Sequence, residues 1–166
     1  AAYDDDPPKT TILGAAKITG RTAGGITVGM LEALTSSETA QYVATAGGPR
    51  YQQEVEPLTN YFVSRAKKDF GDGATTIGGM FTSVDRQMGD TIIADRLRSH
   101  AQALGFDWDH HWAHRDYDWM GSLAVSNVDG TPAAIALTEQ SSAHYCQRPD
   151  RRVKSDGLFG TKYDTL

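Results

Sequence analysis

The sequence predicts an all-β fold: an antiparallel up-and-down meander, or a segment of a barrel, of about six strands. Three observations carry that expectation. Helical periodicity is nearly missing, and short runs rich in Ile, Val, Thr, Tyr and Trp alternate apolar and polar side chains with period two. Glycine-rich breaks separate the runs. The connections alternate in length, with short turns at "RTAGG", "GDG" and "AHRD" and long links at 36–57, 86–99 and 128–148. Tight turns at one end and long loops at the other are the habit of outer-membrane barrels, whose tilted strands run about ten residues. A soluble antiparallel sheet or small barrel shares the period-two pattern.

The expected strands are 11–20, 26–35, 58–69, 75–85, 100–112 and 117–127. With "RTAGG" as the first loop, Ile18 is expected opposite Val28, Ala16 opposite Met30 and Ile12 opposite Leu34. Lys17 and Thr19 then lie on the other face, across from Gly29 and Thr27, and Glu32 interrupts the apolar row near the loop end. The link 36–57 is polar and expected to be irregular. In "NYFVSRAKKDF", Tyr61, Val63, Arg65, Lys67 and Asp69 share one face, with Phe62, Ser64 and Ala66 on the other. Charges on a lipid-facing surface cost a few kcal/mol at midplane, so Arg65 and Lys67 are expected inward or near the rim. The link 128–148 is expected to hold a short helix, about 131–143, opening at Thr131 with Pro132 in its first position. The end of the chain turns basic at "RRVKSDG" and is expected to return to a strand.

"FDWDHHWAHRDYDW", 106–119, packs three histidines, four aspartates and three tryptophans into fourteen residues. If "AHRD" closes a hairpin, with His114 and Arg115 at its centre, Trp112 faces Tyr117, His110 faces Trp119, Phe106 faces Leu123 and Leu104 faces Val125. Side-chain alternation puts all of these on one face. Aliphatic pairs sit far from the turn and aromatic pairs beside it, the layout of a lipid-facing stripe ending in an aromatic girdle. The other face carries Asp107, Asp109, His111, Asp118, Ser122 and Ser126, the polar lining of a lumen. Lys17, Arg65, Lys67 and Asp107 are therefore the candidate lumen-facing binding residues.

The metal signatures are incomplete. His110 and His114 have the i, i+4 spacing of a zincin helix, but His111 stands where that chemistry needs a glutamate base, and the segment reads as strand. "DHH" at 109–111 matches a phosphoesterase signature over only three residues. Asp109, His111 and Asp118 are the candidate ligands for a divalent ion. A tight four-ligand zinc site is not expected, since the hairpin offers three ligands on one face and Cys146 is distant in sequence. No cofactor is expected.

Composition excludes several classes. A net charge of −5 without a basic stripe argues against nucleic acid as a partner. One cysteine excludes an internal disulfide framework. No apolar run approaches the roughly 20 residues of a membrane helix. The chain opens "AAYDDDPPKT", without Met and without signal-peptide character, and reads as a processed protein or a fragment of a longer one.

Three stretches, "TTILGAAKITGRTAGG" (10–25), "VEPLTNYFVSRAKKDF" (55–70) and "SSAHYCQRPD" (141–150), make the chain similar to a known family. It resembles the uncharacterised barrel domain of predicted outer-membrane proteins, in which the barrel follows a carbohydrate-binding module like that of family nine. The resemblance runs from about residue 3 to about 150 and is weaker over "RRVKSDGLFGTKYDTL". It implies an interior piece of a larger barrel, in the outer membrane of a Gram-negative bacterium, with the lipid bilayer or detergent as a partner. Such a piece has two open edges and is expected to oligomerise or to stay with the rest of its barrel. The family is sometimes labelled a membrane-associated hydrolase, and no catalytic residues carry over from it.

The leading functional expectation is a barrel segment whose parent binds or takes up an extracellular glycan or another polymer. A hydrolase is the alternative from another class. Its candidates are Ser141, Ser142 and His144 in "SSAHY", with Asp107, Asp109, His111 and Asp118 as acids, bases or orienting groups. No G-x-S-x-G elbow accompanies them, and Asp109 with Asp118 would be the carboxylate pair for glycoside hydrolysis. A soluble barrel holding a small apolar ligand is the third reading; it requires the aromatic stripe to point inward.

Overall fold

The computed structural model describes residues 3–139 and Ser141. Its strands are β1 (Tyr3–Asp5), β2 (Ile12–Arg21), β3 (Ile26–Thr35), β4 (Glu38–Val43), β5 (Arg50–Glu56), β6 (Leu58–Phe70), β7 (Thr75–Gln87), β8 (His100–Trp112) and β9 (Tyr117–Asp129). Two short helices, α1 (Thr91–Ala94) and α2 (Pro132–Glu139), complete the elements. The six long strands form one antiparallel sheet in the order β2-β3-β6-β7-β8-β9, and β1-β4-β5 form a second, smaller one. The expected antiparallel meander is therefore the fold. Among the described residues β2 and β9 are its two edges and do not pair with each other.

The segment 36–57 is not irregular. It holds β4 and β5, which reverse through "ATAGGP", and β1 joins them by pairing with β4. The misreading has a physical source. "ETAQYV" and "RYQQEVE" are short and polar, so their alternation carries little apolar contrast. Their pairing with Tyr3–Asp5 is a long-range contact that no local pattern reports.

The first hairpin is tighter than expected. Thr22 closes it: its N–H donates to the Ile26 carbonyl at 2.8 Å, and its hydroxyl accepts from the Ile26 N–H at 3.1 Å. Gly25, at φ +80°, supplies the left-handed residue that the reversal needs. Arg21 and Thr27 therefore stay in the ladder, and Ile18 faces Met30 and Lys17 faces Leu31, two residues from the expected register. A shift of two leaves every side chain on its expected face. The irregularity between Ile12 and Gly14 does not: it turns Ile12 away from Leu34 and sets it opposite Thr35.

The hairpin at Trp112 has the expected register throughout, from Trp112 opposite Tyr117 to Leu104 opposite Val125. Its loop is a short 3-10 turn in which Ala113, His114 and Arg115 all take positive φ, between 52° and 73°. Each such non-glycine residue costs on the order of 1–2 kcal/mol. The Trp112–Tyr117 ring stack, with centroids 5.7 Å apart, clamps the strand ends that impose it.

The long connections gather at the opposite end. The buried apolar residues of the described chain, Ala40, Ile93, Ala134 and Ile135, all lie there, beside buried Pro57 and Thr59. α2 opens as expected, with Pro132 in its first position and the Thr131 hydroxyl accepting the Ala134 N–H at 3.3 Å. That hydroxyl also donates to the Ala94 carbonyl, at 3.1 Å, fastening α2 to α1. The helix ends at Glu139, inside the expected span.

Asp90 caps α1, accepting the Ile92 N–H at 3.1 Å and the Gln53 amide of β5 at 2.6 Å. The Ile92 N–H and then the Gln53 amide hold its carboxyl below the ordinary value of 3.8. A depressed carboxylate contributes stability above its unfolded-state value and loses it as pH falls through the folded one. Amide exchange is expected to show Ile92 losing protection as the pH is lowered from 6 to 3, with the Asp90→Asn variant lacking that pH dependence. Equal pH dependence in both would place the linkage elsewhere.

Candidate functional site

The registers carry one side-chain parity across all six strands and define two faces. The first is apolar. It presents Ile18, Val28 and Met30, then Phe62 and Ala66, Ile77 and Phe81, Leu104, Phe106 and Trp108, and finally Trp119, Leu123 and Val125. Leu123 is 68% exposed and Leu104 54%, so nothing in the described chain covers this surface. At the tight-turn end it finishes in Phe70, His110, Trp112 and Tyr117, with Lys68 on the same face and its ammonium 4.9 Å from the Phe70 ring centroid. At the other end it gives way to Asn60, Ser83, Asp85, His100, Gln102, Asn127 and Asp129.

The aromatic groups form a row of two ring triplets. Phe106, Trp108 and Trp119 follow one another with centroids 5.9 and 5.6 Å apart. His110, Trp112 and Tyr117 stack at 5.6 and 5.7 Å. Thr75 anchors the row through a 2.8 Å hydrogen bond to His110 Nδ1. Glycine makes the packing possible. Gly121 lies opposite Trp108, and a Cβ there would overlap the indole ring, which covers the glycine backbone. A shallow groove of about 630 Å³ runs between Ile77, Phe106, Trp108, His110 and Trp119.

The second face is polar toward the tight turns. Lys17, Arg65, Lys67 and Asp107 all lie on it, which settles the sidedness of β6. Arg65 reaches across β7 to Asp107, with Nη2 at 2.8 and 3.0 Å from the two carboxylate oxygens. Gly78 clears that path, since a Cβ there would come within 2.6 Å of Asp107 Oδ2. Asp69 gathers Arg21 at 3.8 Å, Lys67 at 3.9 Å and the Thr76 hydroxyl at 2.9 Å. Lys17 stands apart, without an ion-pair partner among the described residues. These pairs are partly exposed, so each contributes only about 0–1 kcal/mol. Their effect is to hold charge on one face in a defined pattern.

Beyond Asp107 the carboxylates of this face have no Lys or Arg partner among the described residues. His111 and Asp118 are directly opposed across β8 and β9, with Asp109 two residues before His111 on the same face. One ligand atom from each of the three lies within 4.8 Å of the others. His111 Nε2 is 3.3 Å from Asp109 Oδ1, yet that buried oxygen accepts no hydrogen bond. The two facts agree if proximity is kept and alignment is not. His110 faces the aromatic row and His114 sits in the turn, so neither joins the group. Ser141 is tied to α2, its hydroxyl donating to the Thr138 carbonyl at 2.8 Å. Ser142, His144 and Cys146 lie outside the described residues, as do the end of the expected helix and the basic terminal segment.

Two glycines, Gly78 and Gly121, shape these faces without figuring among the residues that the sequence pattern singles out. A glycine inside a strand and opposite a large aromatic is a sequence signal for close approach, and Gly121 opposite Trp108 carries it. Gly78 carries none, because the Arg65–Asp107 bridge spans three strands.

A family model described as a domain of unknown function (DUF5916) matches residues 1–148. No curated protein and no solved structure matches the chain.

Proposed function

This chain belongs to the DUF5916 family, a domain of unknown function, and from that premise we propose that its six-stranded sheet is a segment of an outer-membrane β-barrel. The observation that carries the proposal is the division of the sheet into an uncovered apolar face, rimmed by aromatic rings at the tight-turn end, and a face patterned with charge. In water such a sheet leaves a large apolar surface unsatisfied. In a bilayer the apolar face meets hydrocarbon, and the aromatic row meets the interface. The dimensions fit. From Leu104 to Trp112 is eight residue steps, roughly 27 Å of strand. A tilt of about 40° reduces that to about 21 Å, close to the roughly 25 Å apolar band of barrel proteins.

The charged face would line the aqueous interior, and the free edges of β2 and β9 would pair with further strands of the parent barrel or a second copy. The likeness to barrels that follow a carbohydrate-binding module supplies the cargo: an extracellular glycan or another polymer, bound or taken up. The cellular site is the outer membrane of a Gram-negative bacterium.

The test uses the three tryptophans, all on the apolar face. Reconstituted into vesicles of brominated phosphatidylcholine, the chain is expected to lose most of its tryptophan fluorescence, with bromines near the headgroup quenching more than bromines deep in the acyl chain. Unquenched emission from a chain that keeps its strand spectrum, or a stable monomer in plain buffer, would point instead to a soluble sheet.

A further inference from the structure

We infer that Asp109, His111 and Asp118 form an exchangeable site for one divalent transition-metal ion of the zinc type, on the charged face beside the hairpin turn. The inference stands apart from the membrane proposal, because it needs only that this face be wet.

The first support is geometric. The ligands come from a rigid element, two on β8 and one directly across on β9. An ion about 2.1 Å from both His111 Nε2 and Asp109 Oδ1 would subtend about 104° between them at their 3.3 Å separation, near the tetrahedral angle. The spread of up to 4.8 Å to the third ligand is wider than a coordination edge of about 3.4 Å. Asp118 is exposed and can turn inward to close it.

The second support is the buried Asp109 Oδ1, which has no hydrogen-bond donor. A carboxylate oxygen withdrawn from water without a donor costs free energy unless a cation meets it. The imidazole 3.3 Å away is not aligned to donate. A metal ion satisfies both atoms at once, because it accepts lone pairs where a hydrogen bond needs a proton on the line between them.

Charge balance is the third. Of the cations of this face, Arg65 is engaged with Asp107, Arg21 and Lys67 with Asp69, and Lys17 stands on the far edge strand β2, separated from β8 by three strands. Among the described residues, neither Lys nor Arg comes within ion-pair distance of Asp109 or Asp118. Two carboxylates with one imidazole favour zinc-like ions over calcium or magnesium, which prefer all-oxygen shells. Three ligands, with the Asp109 side chain 41% exposed, leave positions for water, so the ion would exchange rather than lock in place.

The experiment is calorimetric titration of the full chain in detergent micelles with zinc chloride. One equivalent is expected to bind and to be removed by dialysis against EDTA. His111→Ala and Asp118→Asn are each expected to weaken binding about tenfold or more. His100→Ala, on the other face, is expected to leave binding unchanged, as is a hundredfold excess of calcium chloride. Strand spectra of the variants report whether they fold. No zinc uptake up to millimolar concentration, or equal affinity in folded His111→Ala and Asp118→Asn chains, would overturn the site. Zinc retained through chelator dialysis would overturn its exchangeable character.

Discussion

Replacing Leu123 by Arg is expected to destabilise the chain in a bilayer by about 2–4 kcal/mol, the cost of an arginine on the lipid face within the apolar band. Leu123 is the most exposed of the large apolar residues on its face, at 68%. In water such a position would accept arginine within about 0.5 kcal/mol. The neighbouring substitution Ser122→Arg makes the comparison decisive. Ser122 points to the charged face, directly opposite Asp107. An arginine there stays in water beside a carboxylate and is expected to change stability by less than about 0.5 kcal/mol. Denaturant titration of both variants in vesicles measures the difference. Equal stability would mean that Leu123 does not face lipid, and the membrane reading would lose its central support.

The second large effect is expected at Gly121. A valine side chain cannot share space with the Trp108 indole that lies over this residue, so the ring must leave its contact with Trp119. Overpacking of this kind costs about 1–3 kcal/mol. Gly20 is the control: a Cβ there meets nothing within 4 Å, and valine suits a strand. Gly20→Val is therefore expected to be neutral or mildly stabilising, while Gly121→Val also loses the near-ultraviolet dichroism of the Trp108–Trp119 pair. Adding Trp108→Ala to Gly121→Val is expected to recover part of the stability lost, because the clash partner is gone. A Gly121→Val chain as stable as the parent, with its tryptophan signal intact, would show that the ring does not rest on the glycine.

Alternation and turn chemistry by themselves determined the six long strands, their antiparallel order and the faces of the first and last hairpins. The reason is local. In a hairpin the partner is a few residues away, and the side-chain period is two, so placing the turn places both faces. For that reason the pairing from Trp112–Tyr117 to Leu104–Val125 was legible down to single residues. So was the separation of Asp109, His111 and Asp118 from His110. Even the first hairpin, read two residues out of register, kept its faces from Gly14 to the turn, because a shift of two preserves parity.

Tertiary structure decided what depends on contacts distant in the chain. Tyr3–Asp5 pairs with a strand some forty residues later, a contact that leaves no periodic trace in the sequence. The sidedness of β6 follows only once β3 and β7 are in place on either side of it, since "NYFVSRAKKDF" carries apolar and charged residues on the same parity. The Arg65–Asp107 bridge crosses a third strand at a glycine, and the buried, donorless oxygen of Asp109 is a feature of the folded sheet that no local pattern reports. Sequence periodicity reports which way a side chain points. What it meets there is set by strands that the chain brings together from far away.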